Sequence, residues 1–457
     1  MTVVNPKSIS GINSITTGSG SDNLLTIHTN DGTERVRVDS TGATKIVTGI
    51  VTTLTATTGN ITTLRAPTGI VTSFVTNTAK VGGGVTISES GIEASGIGIT
   101  CANINGAQIA GRRNIIINGA MNIAQRGTSI AITGSTNTYI ADRFFTENFH
   151  DGAWTFTQSS TVPDNKFRNS LKVDVTTADT SMAASQYCQI QQRIEAQNLH
   201  AVENFRQPMT FSFWVRSNKT GNYSFTLQQN DNSNRQMPGQ YTINAANTWE
   251  KKIITVPADS SGLVNDDNGI GLILTWGLAY GSNYTSGSVA TNNAFKAYSG
   301  GDFGVGQDVN LLDSTSNEWY LTGVQLEVGS QATPFEHLSF GEELKLCERY
   351  CETILQGESN GAYMNNTVAY ANNAMYTIVR FRTPKRASDP TLVQTSGTDY
   401  YTLYRASGST TAPSFTGVSW PNTHGGALYN SMTCTEGQAG LLGSSNAGAL
   451  LLFTSEL

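Results

Sequence analysis

The run MTFSFWVRS, residues 209–217, sets Phe211, Phe213 and Val215 at every second position. In an extended strand neighbouring side chains point to opposite faces, so these three share one face while Trp214 and Arg216 take the other. The first face reads as core. Trp214 then has three fates open to it: a second packed layer outside the sheet, a contact between subunits, or a platform on which a sugar ring stacks.

The same pattern recurs on both sides, in SLKVDV (170–175), YSFTLQQ (223–229), KKIITVP (251–257), IGLILTW (270–276) and EWYLTGVQLEV (318–328). Many short alternating runs separated by polar turns predict an antiparallel sandwich. Residues 113–338 also hold five of the six tryptophans, which a packed core needs and a thin shaft does not. In the last run Leu321, Val324, Leu326 and Val328 supply the buried face, and Gly323 can host a bulge that resets the alternation. QQRIEAQNLHAVENF (191–205) reads as the one helix-like interruption.

After the last strand, Ser339 and Glu342 have the spacing of a capping box. Leu344, Cys347, Cys351 and Ile354 continue as an apolar stripe and Gly357 supplies a stop, which predicts a linking helix over 339–357. Residues 358–457 read as a second β-rich unit, with MYTIVRFRTPKRAS (375–388) and the apolar run ALLLFTSEL (449–457) as strands.

Before residue 112 the composition is different. TGIVTTLTAT, TGNITTLRAP and TGIVTSFVTN (48–77) form three lines of ten residues, with Gly49, Gly59 and Gly69 in register. A fixed short period marks a stacked array. Each line carries few large apolar side chains, less than one copy needs to offset the entropy of ordering it. The segment therefore predicts a shaft of identical chains wound together. Ile50, Leu54, Ile61, Leu64 and Val71 could also be read as coiled-coil heptads, but the glycines, Pro67 and dense threonine favour intertwined strands. Upstream, LLTIHT (24–29) and ERVRVDS (34–40) flank Asn30, Asp31 and Gly32 as a hairpin. Arg35 and Arg37 share one face of it, suited either to docking on a larger assembly or to capping the shaft.

Only 14% of the 457 residues are charged, against about a quarter in ordinary soluble proteins, and the formal charge is -6. An acidic chain lacks the field that attracts phosphate, so nucleic acid is not an expected partner. No apolar run approaches the ~20 residues that cross a bilayer, and MTVVNPKSIS lacks the order of a signal peptide. Membrane insertion and ordinary secretion are thus not expected, and assembly in a cytoplasm is. The cysteines at 101, 188, 347, 351 and 434 are scattered, so neither a disulfide framework nor a metal site is expected. Asp266, Asp267 and Asn268 could hold calcium, but a solvated turn is the simpler reading.

NIIINGAMNIAQRGTS (114–129), YIADRFF (139–145) and WYLTGVQLEVGSQATPFEHLSFGEELKLCERYCET (319–353) resemble a bacteriophage tail-fibre domain of marine phages. The closing strand is similar to that of jelly-roll carbohydrate-binding modules, and the Thr/Gly-rich front resembles structural proteins of cyanobacterial phages. The resemblance spans about three quarters of the chain. It implies a homotrimeric virion appendage that docks on other tail or baseplate proteins and meets a host-surface polysaccharide or lipopolysaccharide. The expected chain is thus mainly β, with an N-terminal attachment hairpin unit (1–40) and a repetitive shaft (41–112). A jelly-roll sandwich (113–338), the linking helix (339–357) and a distal β-rich domain (358–457) follow.

Aromatic faces stack on sugar rings while Asn, Asp and Gln bond hydroxyls. The expected glycan contacts are Trp276, Tyr280, Tyr284 and Tyr298 at a cleft rim, and Tyr400, Tyr401, Tyr404 and Trp420 in the distal unit. Arg35 and Arg37 are the expected virion contacts. No cofactor or catalytic residue is expected: the five histidines are dispersed and no nucleophile elbow or phosphate loop occurs. A glycan-cleaving pair among Asp142, Asp151, Asp174 and Asp313 is the enzymatic alternative.

Overall fold

The structure is a computed structural model. It describes residues 25–28, 32–38, 44–46, 78–81, 85–88, 91–94, 103–104, 107–108, 112–199, 206–231, 234–262, 264–287, 293–357, 362–406, 408–444 and 446–457. The decamers at 48–77, and with them the braided shaft, lie outside the described residues. The chain divides into two compact units, Met1–Gly98 and Ile99–Leu457.

In the first unit, β1 (Leu25–His28), β2 (Glu34–Val38) and β3 (Thr44–Ile46) form an antiparallel sheet. The hairpin of the sequence reading is present, extended by β3. Arg37 forms an ion pair of 2.7 Å with Glu34. A second meander joins β4 (Thr78–Val81), β5 (Val85–Ser88) and β6 (Gly91–Ala94).

The second unit is mainly β and begins with a short hairpin of β7 (Asn103–Ile104) and β8 (Ala107–Gln108). Its sandwich strands are β9 (Ser129–Thr133), β10 (Thr138–Tyr139), β11 (Phe144–Phe149), β12 (Ala153–Ser159), β13 (Ser170–Thr177), β14 (Tyr187–Glu195) and β15 (Met209–Ser217). They continue with β16 (Gly221–Gln229), β17 (Arg235–Ile243), β18 (Glu250–Val256), β19 (Ile270–Tyr280), β20 (Lys296–Ala297) and β21 (Glu318–Val328). One sheet has the order β10-β11-β14-β19-β16-β17-β20, the other β18-β15-β21-β13-β12-β9, and both are antiparallel. All six alternating runs of the sequence form these strands, with Pro257 falling just past the end of β18.

The inner faces meet in an aromatic core. Trp276 lies 5.5 Å from Phe211 and 5.9 Å from Phe213, ring centre to ring centre, and Phe213 meets Tyr241 edge-on at 5.2 Å. Edge-to-face packing sets the positive ring edge against the negative face. Trp214 sits on the outer face, half-buried, where Gly323 has φ +61 at a register shift opposite Ser212 and Trp214. A side chain at Gly323 would run into the rings of Trp214 and Phe167. Phe167 in turn packs on Phe335 and His337, so the tryptophan belongs to a second packed layer within the chain.

Two readings need correction. Residues 191–195 belong to β14, because Cys188, Ile190 and Ile194 face the core at strand spacing; 196–199 turn helically, and 200–205 lie outside the described residues. The predicted helix over 339–357 is shorter: α1 spans Phe340–Glu348, with the Ser339–Glu342 capping box in place. Cys351 and Ile354 lie on β22 (Cys351–Gln356), whose ladder with the last strand outweighs their helical spacing.

The remaining strands are β23 (Ala362–Ala371), β24 (Ala374–Arg380), β25 (Thr391–Gln394), β26 (Tyr401–Arg405), β27 (Gly408–Ala412), β28 (Gly417–Asn422), β29 (Gly425–Asn430), β30 (Ala439–Ser444) and β31 (Leu450–Thr454). A three-stranded sheet, β22-β31-β25, and a seven-stranded one, β27-β26-β30-β23-β24-β29-β28, enclose Leu355, Val379, Tyr401, Leu428, Leu451 and Phe453.

The motifs that carry the resemblance form the junction between sandwich and C-terminal module. The Asn118 amide donates to the carbonyls of Ile123 and Asp142, and its oxygen accepts from the Ile123 amide. Arg143, fully buried at φ +71, pairs with Glu456 and lies 3.6 Å over the Tyr350 ring. Tyr350 donates to Glu195, which also receives Arg349. A buried charge is tolerated only when so partnered. The helix is therefore a packed wedge at this junction.

Candidate functional site

The outer face of the seven-stranded sandwich sheet is polar. Register carries a row across it from Phe145 through Gln191 and Thr275 to Thr226, and a neighbouring row begins with Glu147 opposite Gln189. Segments 281–287 and 293–304 flank this face. Between them lies a cleft of about 190 Å³, lined by Glu147, Tyr187, Gln189, Tyr284, Tyr298 and Phe303. That is smaller than the roughly 300–1,000 Å³ of pockets for drug-sized ligands, and suits a single ring rather than a whole oligomer.

The floor is a chain of oriented hydrogen bonds. Gln189 and Gln191 each donate from Nε2 to Glu147 Oε2 at 2.8 Å. The Tyr280 hydroxyl donates to Gln189 Oε1 at 2.6 Å, and Arg193 donates to Gln191 Oε1. Both amides are thereby fixed in direction. Among the described residues nothing donates to Glu147 Oε1, which leaves an acceptor for a ligand hydroxyl.

The walls are aromatic. Tyr187 and Tyr284 meet edge to face at 5.3 Å, Tyr280 and Tyr284 lie 5.8 Å apart, and Phe149 extends the ridge 6.4 Å from Tyr187. On the opposite side Tyr298 meets Phe303 edge-on at 5.9 Å. Tyr284 is held by its own backbone: its amide donates to Gly281 and its carbonyl accepts from Gly304. Such fixing lowers the ordering cost that a ligand would otherwise meet. Burial, then Glu147, raises the Tyr187 hydroxyl above its ordinary pKa; burial, then Tyr298 and Glu147, does the same for Tyr284. Both stay neutral donors at physiological pH.

Of the expected rim residues, Tyr284 and Tyr298 line this cleft and Tyr280 supports its floor. Trp276 does not: it is fully buried in the core on the opposite side of the sheet. Trp276 shares the inner face with Leu272 and Leu274 by alternation, and a bulge then separates Tyr280 from that face. Gly277 pairs with Gln189 but Ala279 pairs with the adjacent Cys188, so one extra residue inverts the alternation between Trp276 and Tyr280. Gly277 is needed there, because a Cβ would collide with the Tyr280 ring, Ser224 and Gln307.

The distal group also separates. Tyr401 is fully buried in the C-terminal core, its hydroxyl donating to the carbonyls of Thr395 and Leu450, and so is not a surface contact. Alternation forces this, since Tyr401 and Leu403 share the inner face. Tyr400 is half-buried. Tyr404 and Trp420 lie on β26 and β28, five strand spacings apart, or roughly 24 Å. Among the described residues no group of three His, Cys, Asp or Glu could hold a metal ion. The four described cysteines are buried and unpaired. The Asn268 side-chain amide donates to the Arg386 carbonyl and the Asn268 carbonyl accepts from the Arg386 guanidinium, which makes its turn a contact with the C-terminal module.

Glu147, Tyr187, Gln189 and Phe303 were not singled out in the sequence. A signal existed for three of them: Phe145, Glu147 and Phe149, and Tyr187, Gln189 and Gln191, recur at period two opposite core residues.

No protein-family model matches the chain, and no curated protein matches it. Solved structures with some likeness include the enzymatically active domain of bacteriophage CBA120 tailspike protein 4, at 11% identity and a TM-score of 0.24, covering 47% of this chain and 21% of that one. Another is a family 11 carbohydrate-binding module from Clostridium thermocellum in complex with a mixed-linked tetrasaccharide, at 11% identity, TM-score 0.24, and 45% and 98% coverage. A third is the module TmCBM61 in complex with β-1,4-galactotriose, at 9% identity, TM-score 0.22, and 48% and 99% coverage. At such identities and TM-scores none of them assigns this chain a ligand or an activity.

Proposed function

We propose that the chain is a glycan-binding virion appendage, a homotrimeric phage tail fibre that attaches through its N-terminal unit and adsorbs to a host-surface polysaccharide or lipopolysaccharide. The observation that carries the glycan reading is the cleft: aromatic walls of Tyr187, Tyr284, Tyr298 and Phe303 around a floor in which Glu147 and Gln189 are already oriented. Ring faces take the apolar side of a pyranose and the floor takes its hydroxyls. A trimer would multiply weak contacts by avidity. The fibre assignment rests on the sequence resemblance, and assembly in the host cytoplasm follows from it.

The test is calorimetry of the full chain against host envelope polysaccharide and neutral oligosaccharides, with Tyr284→Ala and Glu147→Gln alongside. Affinity weakened about tenfold or more in both variants, with the fold retained, is the expected result; equal affinity of both variants and the parent would sink the cleft as the site. The depolymerase alternative predicts release of reducing sugar from the same polysaccharide. Hydrolysis by paired carboxylates needs a second acid beside the first, whereas the described lining offers Glu147, whose Oε2 is held by two amides. A head or baseplate fibre without a receptor role predicts protein that neither stains nor blocks host cells.

A further inference from the structure

The seven-stranded sheet of the C-terminal module turns an apolar face outward. Val368 and Tyr370 on β23, Tyr376 and Ile378 on β24, and Tyr429 on β29 share that face by register. Tyr370 is 72% exposed and Trp420 67%. Their rings form one cluster: Tyr376 stacks on Trp420 at 5.6 Å and 25°, meets Tyr429 at 5.2 Å, and takes Tyr370 edge-on at 5.7 Å. An exposed aromatic patch of this kind marks an interaction surface.

Trp420 is held out by a strained backbone. It has φ +53, a conformation that bulky residues rarely adopt. Register explains the strain: Ser419 pairs with Ala427 and Asn422 with Gly425, so Trp420 and Pro421 together face Gly426 in a bulge. Bulges re-aim side chains, and this one sets the indole beside a groove of about 400 Å³. Ile378, Arg380, Trp420, Asn422, His424 and the backbone of Gly425–Gly426 line it. Gly425 is required for the floor, because a Cβ there would strike the Val379 carbonyl.

The charge of the groove is one-sided. Among the described residues no acidic side chain lines it. Arg380 is exposed, and its guanidinium makes no hydrogen bond or ion pair with any described residue. Other cations of the module are engaged: Arg382 with Glu348, Lys385 with Glu352, and Arg386 with the carbonyls of Ser455 and Glu456. His424 is exposed, with Nδ1 on the Thr423 hydroxyl and Nε2 left open. A planar guanidinium without a partner is matched to a carboxylate.

We infer that this groove is a second saccharide site, selective for an acidic sugar unit. The pyranose ring stacks on Trp420, its carboxylate takes the fork of Arg380, and Asn422 and His424 bond its hydroxyls. The ligand class rests on the glycan-binding reading above, but the site is separate from the sandwich cleft.

The experiment is calorimetry of the full chain with tetragalacturonate, trisialic acid and the fully methyl-esterified, neutral galacturonate. Wild type and Arg380→Gln, Trp420→Ala and Tyr284→Ala would be compared at two salt concentrations. Arg380→Gln is expected to weaken at least one acidic ligand about tenfold or more and to leave the neutral ester unchanged. Binding of the acid should fall with salt. Trp420→Ala should weaken it too, while Tyr284→Ala spares it. Failure of both acidic ligands to bind, or equal binding by Arg380→Gln and wild type, overturns the inference. So does loss of acid binding in Tyr284→Ala, which would put the acid in the cleft. Self-association abolished by Trp420→Ala, with no response to sugar, would make the face a contact between copies and also overturn it. Loss of the neutral-glycan reading alone, with Arg380-dependent acid binding intact, removes the cleft and leaves this site.

Discussion

The sandwich and the C-terminal module each carry a seven-stranded antiparallel sheet with one face on a core, and their outer faces differ in kind. The sandwich face bears Glu147, Gln189, Gln191, Thr226 and Thr275 beneath flanking segments, so its site is recessed, and Glu147, Gln189 and Gln191 are tied together. The C-terminal face bears Val368, Tyr370 and Ile378 in the open, with Tyr376 half-buried among them. A covered polar side chain that is held by two hydrogen bonds is oriented by them, as Gln189 and Gln191 are here. An open apolar face needs no partners and offers ring surface instead. The same strand architecture thus presents a directional site in one place and a stacking platform in the other.

The widest contrast lies between two tryptophans. Trp276→Ala should cost about 3–5 kcal/mol, because it empties the space between Phe211, Phe213 and Phe144. Trp420→Ala should stay within about 0.5 kcal/mol, since its ring is mostly in solvent. Denaturant midpoints of the two variants check this, and comparable losses would mean that the C-terminal face is packed in solution.

Next in size is Gly277→Ala. It forces the Tyr280 ring off the strand and should lower stability by about 1–3 kcal/mol while disturbing Gln189. A thermal melt and a glycan titration on the same sample would show both effects. Tyr284→Ala should leave the melt unchanged and reduce neutral-glycan affinity about tenfold, or roughly 1.4 kcal/mol. A variant that melts early would recast Tyr284 as a structural residue.

The smallest expected effect belongs to neither face and serves as a baseline. Partial burial alone would raise the Glu250 carboxyl, but donation from Lys252, Ala245 and Asn244 outweighs it and holds the group at about 2. Its stabilisation is complete above the ordinary value of 4.5 and is lost as pH falls toward about 2. Because the pair lies near the surface, about 1 kcal/mol or less is at stake. Glu250→Gln should flatten the stability curve between those pH values, and an unchanged acid limb would show that the carboxyl is not held down.

Much of the fold could be read directly. The six alternating runs became strands, Gly323 became a bulge, and the Ser339–Glu342 box starts α1. Of the cleft, Tyr284 and Tyr298 were found because they sit in a polar, Gly-rich connection after a strand. Glu147, Tyr187 and Gln189 were missed because they come from strands more than eighty residues upstream of the segments they face. Their proximity is a product of sheet order, and local pattern carries no record of it.

The sequence by itself determined which segments are strands and which of their faces are oily, because period-two alternation is a property of neighbouring residues. Tertiary structure alone decided three things. The bulge at 277–279 turned Tyr280 away from the face of Trp276 and under the cleft, and the partnership with β31 drew residues 351–356 out of a helix. The order of strands brought Tyr376 beneath Trp420. Each depends on a partner strand distant in the chain, and such pairings are settled only when the whole sheet assembles.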